Sequence, residues 1–512
     1  MKWTKLVVAA CLTLPVGAAP PPARDLPAVN LEGIADWSAV LPFADAIKSA
    51  RHFGSAHQPW DESAPVDAAG WPTGQGDLGL VVFADQHGID GRYPLSFSGN
   101  GSVEAMPGSI RVAGPDHQGG TTTATLTIPP SEEPQSLFLK FTGLGQRGLG
   151  NLKLMRPVKA AGSFDQRFID LVKNFSAVRF MDWAHTNGSA VSDWKSRSKP
   201  GSMRFSGKLG VPLEVQVELA NRAGVDAWFC VPHLATDDTV RRMAVLIRDS
   251  LDPARHVYVE FSNECWNGMF EQARWCLEQG RKAALSDNDF QAQLRFYSQR
   301  TVAVCRIWQE VFAEKNQQAR LTRIMASQSA NPWVSEQVLT WQDAYKDVDA
   351  LAIAPYFGGE FGSPETADTI RRLEPKQLIA RLRDESLAKS VPKMITKQAA
   401  LARKFELALL GYEGGQHLAG HGGAENDDAL TRLFIQTNRE PGMKALYEEY
   451  RRIWDRAVAD PRREKLFWFS LSSRPSKWGS WGLIESLPPD SPKWTAVTGQ
   501  EPTTTPVADP GR

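Results

Sequence analysis

The chain has 512 residues, 58 Lys and Arg against 58 Asp and Glu, and 42% hydrophobic with 23% charged residues. That composition excludes a disordered or fibrous chain, and the length suits two or three domains or one large α/β barrel with an insertion. Zero net charge with dispersed basic residues excludes a surface built to attract nucleic acid or an anionic membrane.

Residues 1–19 read as a signal peptide. Lys2 and Lys5 precede an apolar run over 6–14, and Val16-Gly17-Ala18-Ala19 offers small residues for cleavage. Secreted or periplasmic location follows. A lipid anchor at Cys11 fits less well, because only five apolar residues precede it. No later stretch reaches the roughly 18 apolar residues of a membrane helix, so no transmembrane segment is expected. Cys230, Cys265, Cys276 and Cys305 lack C-x-x-C spacing, which argues against a zinc ribbon or redox pair. A chain this long has core enough to do without disulfides, so buried free thiols are the favoured reading.

A strand at 29–33 and helical periodicity over 37–51 make a first β/α unit, residues 28–56. Residues 76–157 then carry short alternating runs (78–84, 93–97, 109–112, 121–128, 136–141, 151–155) separated by Gly, Pro, Asn and Ser, the texture of a small β-sandwich. From 158 to 485 buried strand candidates recur at 177–181, 227–231, 256–261, 323–326, 350–354, 408–412 and 466–470, with helical segments between them. With the first strand they number eight, the count of a closed parallel barrel. The expected fold is a (β/α)8 barrel with a β-sandwich-like insertion between its first helix and second strand. Residues 488–512 read as a flexible tail.

Barrel active sites lie at the C-terminal ends of the strands. Those ends carry Arg179, His233, Asn263, Glu264, Tyr356 and Glu413. Two carboxylates converging from strands four and seven are what glycosidic cleavage needs: one protonates the leaving oxygen, the other attacks or stabilises the oxocarbenium-like carbon. The chain has 17 Trp, more than its length predicts. Trp183, Trp266 and Trp478, with Trp194 and Trp481, fall just past strand ends, where indole faces suit stacking on sugar rings.

The run Val257-Tyr258-Val259-Glu260-Phe261-Ser262-Asn263-Glu264 before Trp266-Asn267, with Leu410-Gly411-Tyr412-Glu413-Gly414-Gly415, resembles the clan A retaining glycoside hydrolases, the superfamily of cellulases and mannanases. The resemblance covers residues 28–56 and 158–485. It implies Glu264 as acid/base and Glu413 as nucleophile. Arg179 and Tyr356 would support the nucleophile, Asn263 would hold the sugar 2-hydroxyl, and His233 matches a His that several members keep. It implies a polysaccharide or oligosaccharide substrate and no cofactor. Cys265, between Glu264 and Trp266, departs from the well-known cellulase and mannanase patterns and leaves the substrate open.

Metal chemistry is disfavoured. His417 and His421 lack the Glu of H-E-x-x-H, and the surrounding glycines argue against a helix. The rival function is a non-catalytic sugar-binding surface protein on a degenerate barrel. Retention of both Glu264 and Glu413 beside Arg179 and Tyr356 favours the enzyme.

Overall fold

The computed structural model describes residues 25–501 except 75, 146 and 147. The expected signal peptide, Cys11 and residues from 502 onward lie outside the described residues. Eight short strands form the centre: β1 (Ala28–Asn30), β2 (Ala177–Arg179), β3 (Asp226–Val231), β4 (Val257–Phe261), β5 (Leu321–Ala326), β6 (Ala350–Ile353), β7 (Ala408–Gly411) and β8 (Phe467–Trp468). Neighbours in this order pair in parallel from β1 to β7, and β1 also pairs with β8. A parallel bridge from Gly411 to Leu466 closes the ring. Glycine permits that approach, since a Cβ at 411 would stand 2.3 Å from Leu466 Cδ1. The fold is a (β/α)8 barrel.

Alternation sorts the strand residues into two cores. Phe229 and Val231 of β3 and Val257, Val259 and Phe261 of β4 pack outward against the helices. Trp228, Cys230 and Tyr258 point inward with Ala28, Ala177, Ile324 and Phe467. Trp228 stacks on Tyr258 at 5.6 Å and meets Phe467 edge-on at 4.9 Å, so the axis is filled rather than open. Glu260 shares the parity of Tyr258 and is therefore forced inside, where it is 0% exposed.

Between β1 and β2 stand two four-stranded antiparallel sheets. One pairs Gly54–Ser55, Leu78–Gln86, Gln135–Thr142 and Ser102–Met106; the other pairs Arg111–Gln118, Thr121–Ile128, Gly91–Ser98 and Gly150–Leu154. Leu80, Val82, Tyr93, Leu95, Phe97, Leu139, Phe141 and Leu154 fill the space between them. The strand Ser102–Met106 was not expected; of its five residues only Val103 is buried, too weak an alternation to read. Met203, from the long loop after β2, is buried in this same core, and Lys48 Nζ holds the Ser202 carbonyl at 2.7 Å. The sandwich therefore braces the β2 loop.

Two expectations need correction. The helix expected over 37–51 shrinks to one 3-10 turn, Ala46–Ser49. Phe43 and Asp45 instead form antiparallel bridges with Phe164 and Met155, so their backbone hydrogen bonds go sideways rather than along a helix. The α-helix of this unit, Gln166–Val172, follows the sandwich. Nor is 488–501 a loose tail: Pro492–Thr498 is a helix capped by Ser491, and Trp494, 2% exposed, packs edge-on against Phe175. Cys230, Cys265, Cys276 and Cys305 are buried free thiols. Among the described residues no helix is long and apolar enough to cross a membrane.

Candidate active site

Arg179, at the end of β2, is the hub. It is 0% exposed and all five of its N–H groups have acceptors. Nη1 donates to Glu413 Oε1 at 2.7 Å and to Asn30 Oδ1 at 3.2 Å. Nη2 donates to Asn263 Oδ1 at 2.9 Å and to Glu260 Oε2 at 2.8 Å, and Nε reaches the same Glu260 oxygen at 3.1 Å. Strands β1, β2 and β4 and the end of β7 are thus tied together at one guanidinium.

Glu413 follows β7. Besides Arg179 it accepts the Tyr356 hydroxyl on Oε2 at 3.0 Å. Both oxygens are acceptors, the pattern of a carboxylate. Glu264 follows β4 through a sharp turn in which Ser262 and Glu264 take left-handed φ values of 58° and 43°. Non-glycine residues hold that conformation at a cost of about 1–3 kcal/mol each, and sites that need a particular side-chain aim are where such cost persists. Its carboxyl accepts the Tyr412 hydroxyl at 2.9 Å and Asn267 Nδ2 at 2.9 Å. Burial, then the negative charge of Glu413, push the Glu264 carboxyl from 4.5 up to about 7. Glu264 thus keeps its proton up toward neutral pH beside Glu413, whose two oxygens both accept hydrogen bonds, an asymmetry suited to acid-assisted displacement.

The structure brings Arg179, Asn263, Glu264, Tyr356 and Glu413 together and leaves other expected residues apart. His233 is buried against Trp275 at 5.6 Å, and among the described residues it makes no hydrogen bond to either carboxyl group. Burial lowers its pKa, which favours the neutral ring. Trp183 is a correction: it is 2% exposed and stacked on Phe168 at 5.8 Å and Phe164 at 6.3 Å, so its faces are spent in the outer core. Trp266 is half-buried against the same core. Trp478 is 63% exposed, with Lys477 Nζ 4.8 Å from its ring. Trp481 stands nearer the chemistry, 5.8 Å from Tyr356 and 4.9 Å from His417. That contact gives His417 an aromatic setting.

Several site residues escaped the sequence reading. Tyr412 and Asn267 grip Glu264, and Asn30 and Glu260 grip Arg179. Asp182 stands beside Glu413, and Glu32 stands beside Asp182. Burial first and the Glu413 charge second raise Asp182 from 3.8 to about 7; burial and then the Asp182 charge raise Glu32 from 4.5 to about 8. The available signal was Glu260 itself, a charge at inward parity in an otherwise apolar strand, which needs a buried partner.

No family model matches this chain, and no curated protein does. Among solved structures it is similar to a β-1,3-glucanase and allergen of Cryptomeria japonica pollen, at 12% identity over 62% of this chain and 90% of that one, TM-score 0.34. It is similar to a Bacteroidetes-affiliated GH5 cellulase, at 10% identity over 67% of this chain and 84% of the other, TM-score 0.34. A third is a GH128 endo-β-1,3-glucanase from Sorangium cellulosum, at 14% identity over 65% of this chain and 94% of that chain, TM-score 0.31.

Proposed function

We propose that this chain is an exported retaining glycoside hydrolase that cleaves β-glycosidic bonds in a polysaccharide or oligosaccharide. The observation that carries the reading is the unequal pair at the ends of β4 and β7: Glu264 raised to about 7 beside Glu413, which accepts from Arg179 and Tyr356. Glu413 attacks the anomeric carbon while Glu264 gives its proton to the departing glycosidic oxygen, so the C–O bond breaks as an ester to Glu413 forms. Glu264, now a base, takes a proton from water as that water opens the ester. Two inversions at one carbon restore its configuration. Asn263 gives one amide N–H to Asn187 at 3.0 Å and keeps the other for the sugar 2-hydroxyl.

The test is a panel of β-glucans, mannans and xylans assayed for new reducing ends, with the anomer of the first product read by NMR. Retention is expected. Glu413→Gln should lose several orders of magnitude in turnover while still sedimenting with an insoluble substrate. Glu264→Ala should keep activity on activated aryl glycosides and be rescued by azide. An inverted first product would sink the double displacement. Sedimentation with glycans but no cleavage across the panel would favour the non-catalytic sugar-binding reading.

A further inference from the structure

Glu260 takes more of Arg179 than Glu413 does. Of the five guanidinium N–H groups, two go to Glu260 Oε2 and one to Glu413 Oε1. The same Glu260 oxygen also accepts Trp228 Nε1 at 2.8 Å and Cys230 Sγ at 3.4 Å, while Oε1 has no partner among the described residues. A carboxylate gathered so wholly onto one oxygen serves the guanidinium more than its own solvation. Arg179 and Glu260 are both 0% exposed, so neither water nor salt screens that pair.

We propose that Glu260 is a positioning residue for the nucleophile: it fixes the orientation of Arg179 and absorbs part of its charge, so that Glu413 is aimed by the guanidinium without being quenched by it. This rests on the reading of Glu413 as nucleophile. A carboxylate facing an unshared guanidinium is a weaker base and slower to attack; one facing a guanidinium already paired keeps its electron pair available. Glu413 is also faced by Asp182 beyond β2, Cys230 on β3, Glu264 beyond β4, Tyr356 beyond β6 and Tyr412 at its own strand end. None of these contacts the far side of Arg179. Glu260 does: burial raises its pKa, and the Arg179 charge and hydrogen bonds act against that rise in favour of the anion.

The experiment is carbon-13 NMR titration of the Glu413 carboxyl in the full protein labelled at Glu side chains, with Glu413→Gln giving the assignment. It reads the free protein and does not depend on turnover, so it separates failure of this inference from failure of the glycosidase reading. Glu260→Gln keeps an acceptor where Trp228 and Arg179 donate but removes the charge. The Glu413 titration midpoint should fall by about one pH unit, and on any aryl glycoside the wild type hydrolyses, the acidic limb of kcat/KM should fall with it. If Glu260→Gln does not fold, Glu260→Asp, which retracts the charge by one methylene, should move the midpoint the same way by a few tenths. An unmoved midpoint in whichever variant folds overturns the proposal.

Discussion

At the scale of single residues, the two carboxyls are each held by a tyrosine from another strand end: Tyr356, beyond β6, on Glu413, and Tyr412, at the end of β7, on Glu264. The Tyr412 hydroxyl favours the Glu264 anion, as does Asn267, yet burial and the Glu413 charge outweigh them and hold the group near 7. If Glu264 must be protonated to act, kcat/KM falls as pH rises through about 7. Tyr412→Phe removes one of the groups favouring the anion, so that alkaline limb should move to higher pH, by a few tenths to about one unit. A pH–rate profile of the variant checks it, and a limb moving downward would contradict the assignment. That Arg179, Asn263, Glu264, Tyr356 and Glu413 gather at one place was legible because barrel topology puts strand ends at the mouth whatever the loops do. Trp183 was misread and Tyr412 passed over for one reason. Position along the chain marks a strand end, but aim around the strand axis is fixed by packing, and Phe164 and Phe168 claimed the Trp183 ring.

At the scale of elements, long apolar runs were readable and marginal ones were not. All eight barrel strands fall where buried runs stood in the sequence, since an element buried on both faces needs no pattern beyond being apolar. The segment 37–51 has helical spacing, but antiparallel bridges to Phe164 and Met155 compete for its backbone and win. The C-terminal helix was invisible for the opposite reason. Pro492–Thr498 has seven residues, too short to show a period, and stands because Ser491 caps it and Trp494 is buried. Short isolated helices do not hold in water, so its stability is borrowed from that contact. Trp494→Ala should therefore cost about 3–5 kcal/mol in urea unfolding. A loss under 1 kcal/mol would mean that the helix contributes little and that the tail expectation was right in substance.

At the scale of the whole molecule, the barrel mouth concentrates carboxyls whose ionisation opposes folding. Glu32, Asp182 and Glu264 rise from 4.5, 3.8 and 4.5 to about 8, 7 and 7 respectively, each chiefly through burial and then through a neighbouring negative charge. In the unfolded chain they ionise near pH 4; in the folded protein they hold their protons longer. Between those limits the native state binds more protons than the unfolded state, so stability is fullest below about pH 4 for these groups. It then declines as pH rises toward about 8, by at most ~1.4 kcal/mol per unit for each group. Glu32 is the cleanest test, because its charged neighbours are Asp182 and Arg474 rather than the Glu264–Glu413 pair and its pKa is raised to about 8. Glu32→Gln mimics the protonated form. Its thermal midpoint should match the wild type near pH 5 and exceed it near pH 8.5, where the wild-type carboxyl has been forced to ionise beside Asp182. A midpoint difference independent of pH would show that Glu32 is not held protonated, and with it that the mouth stores no such electrostatic strain.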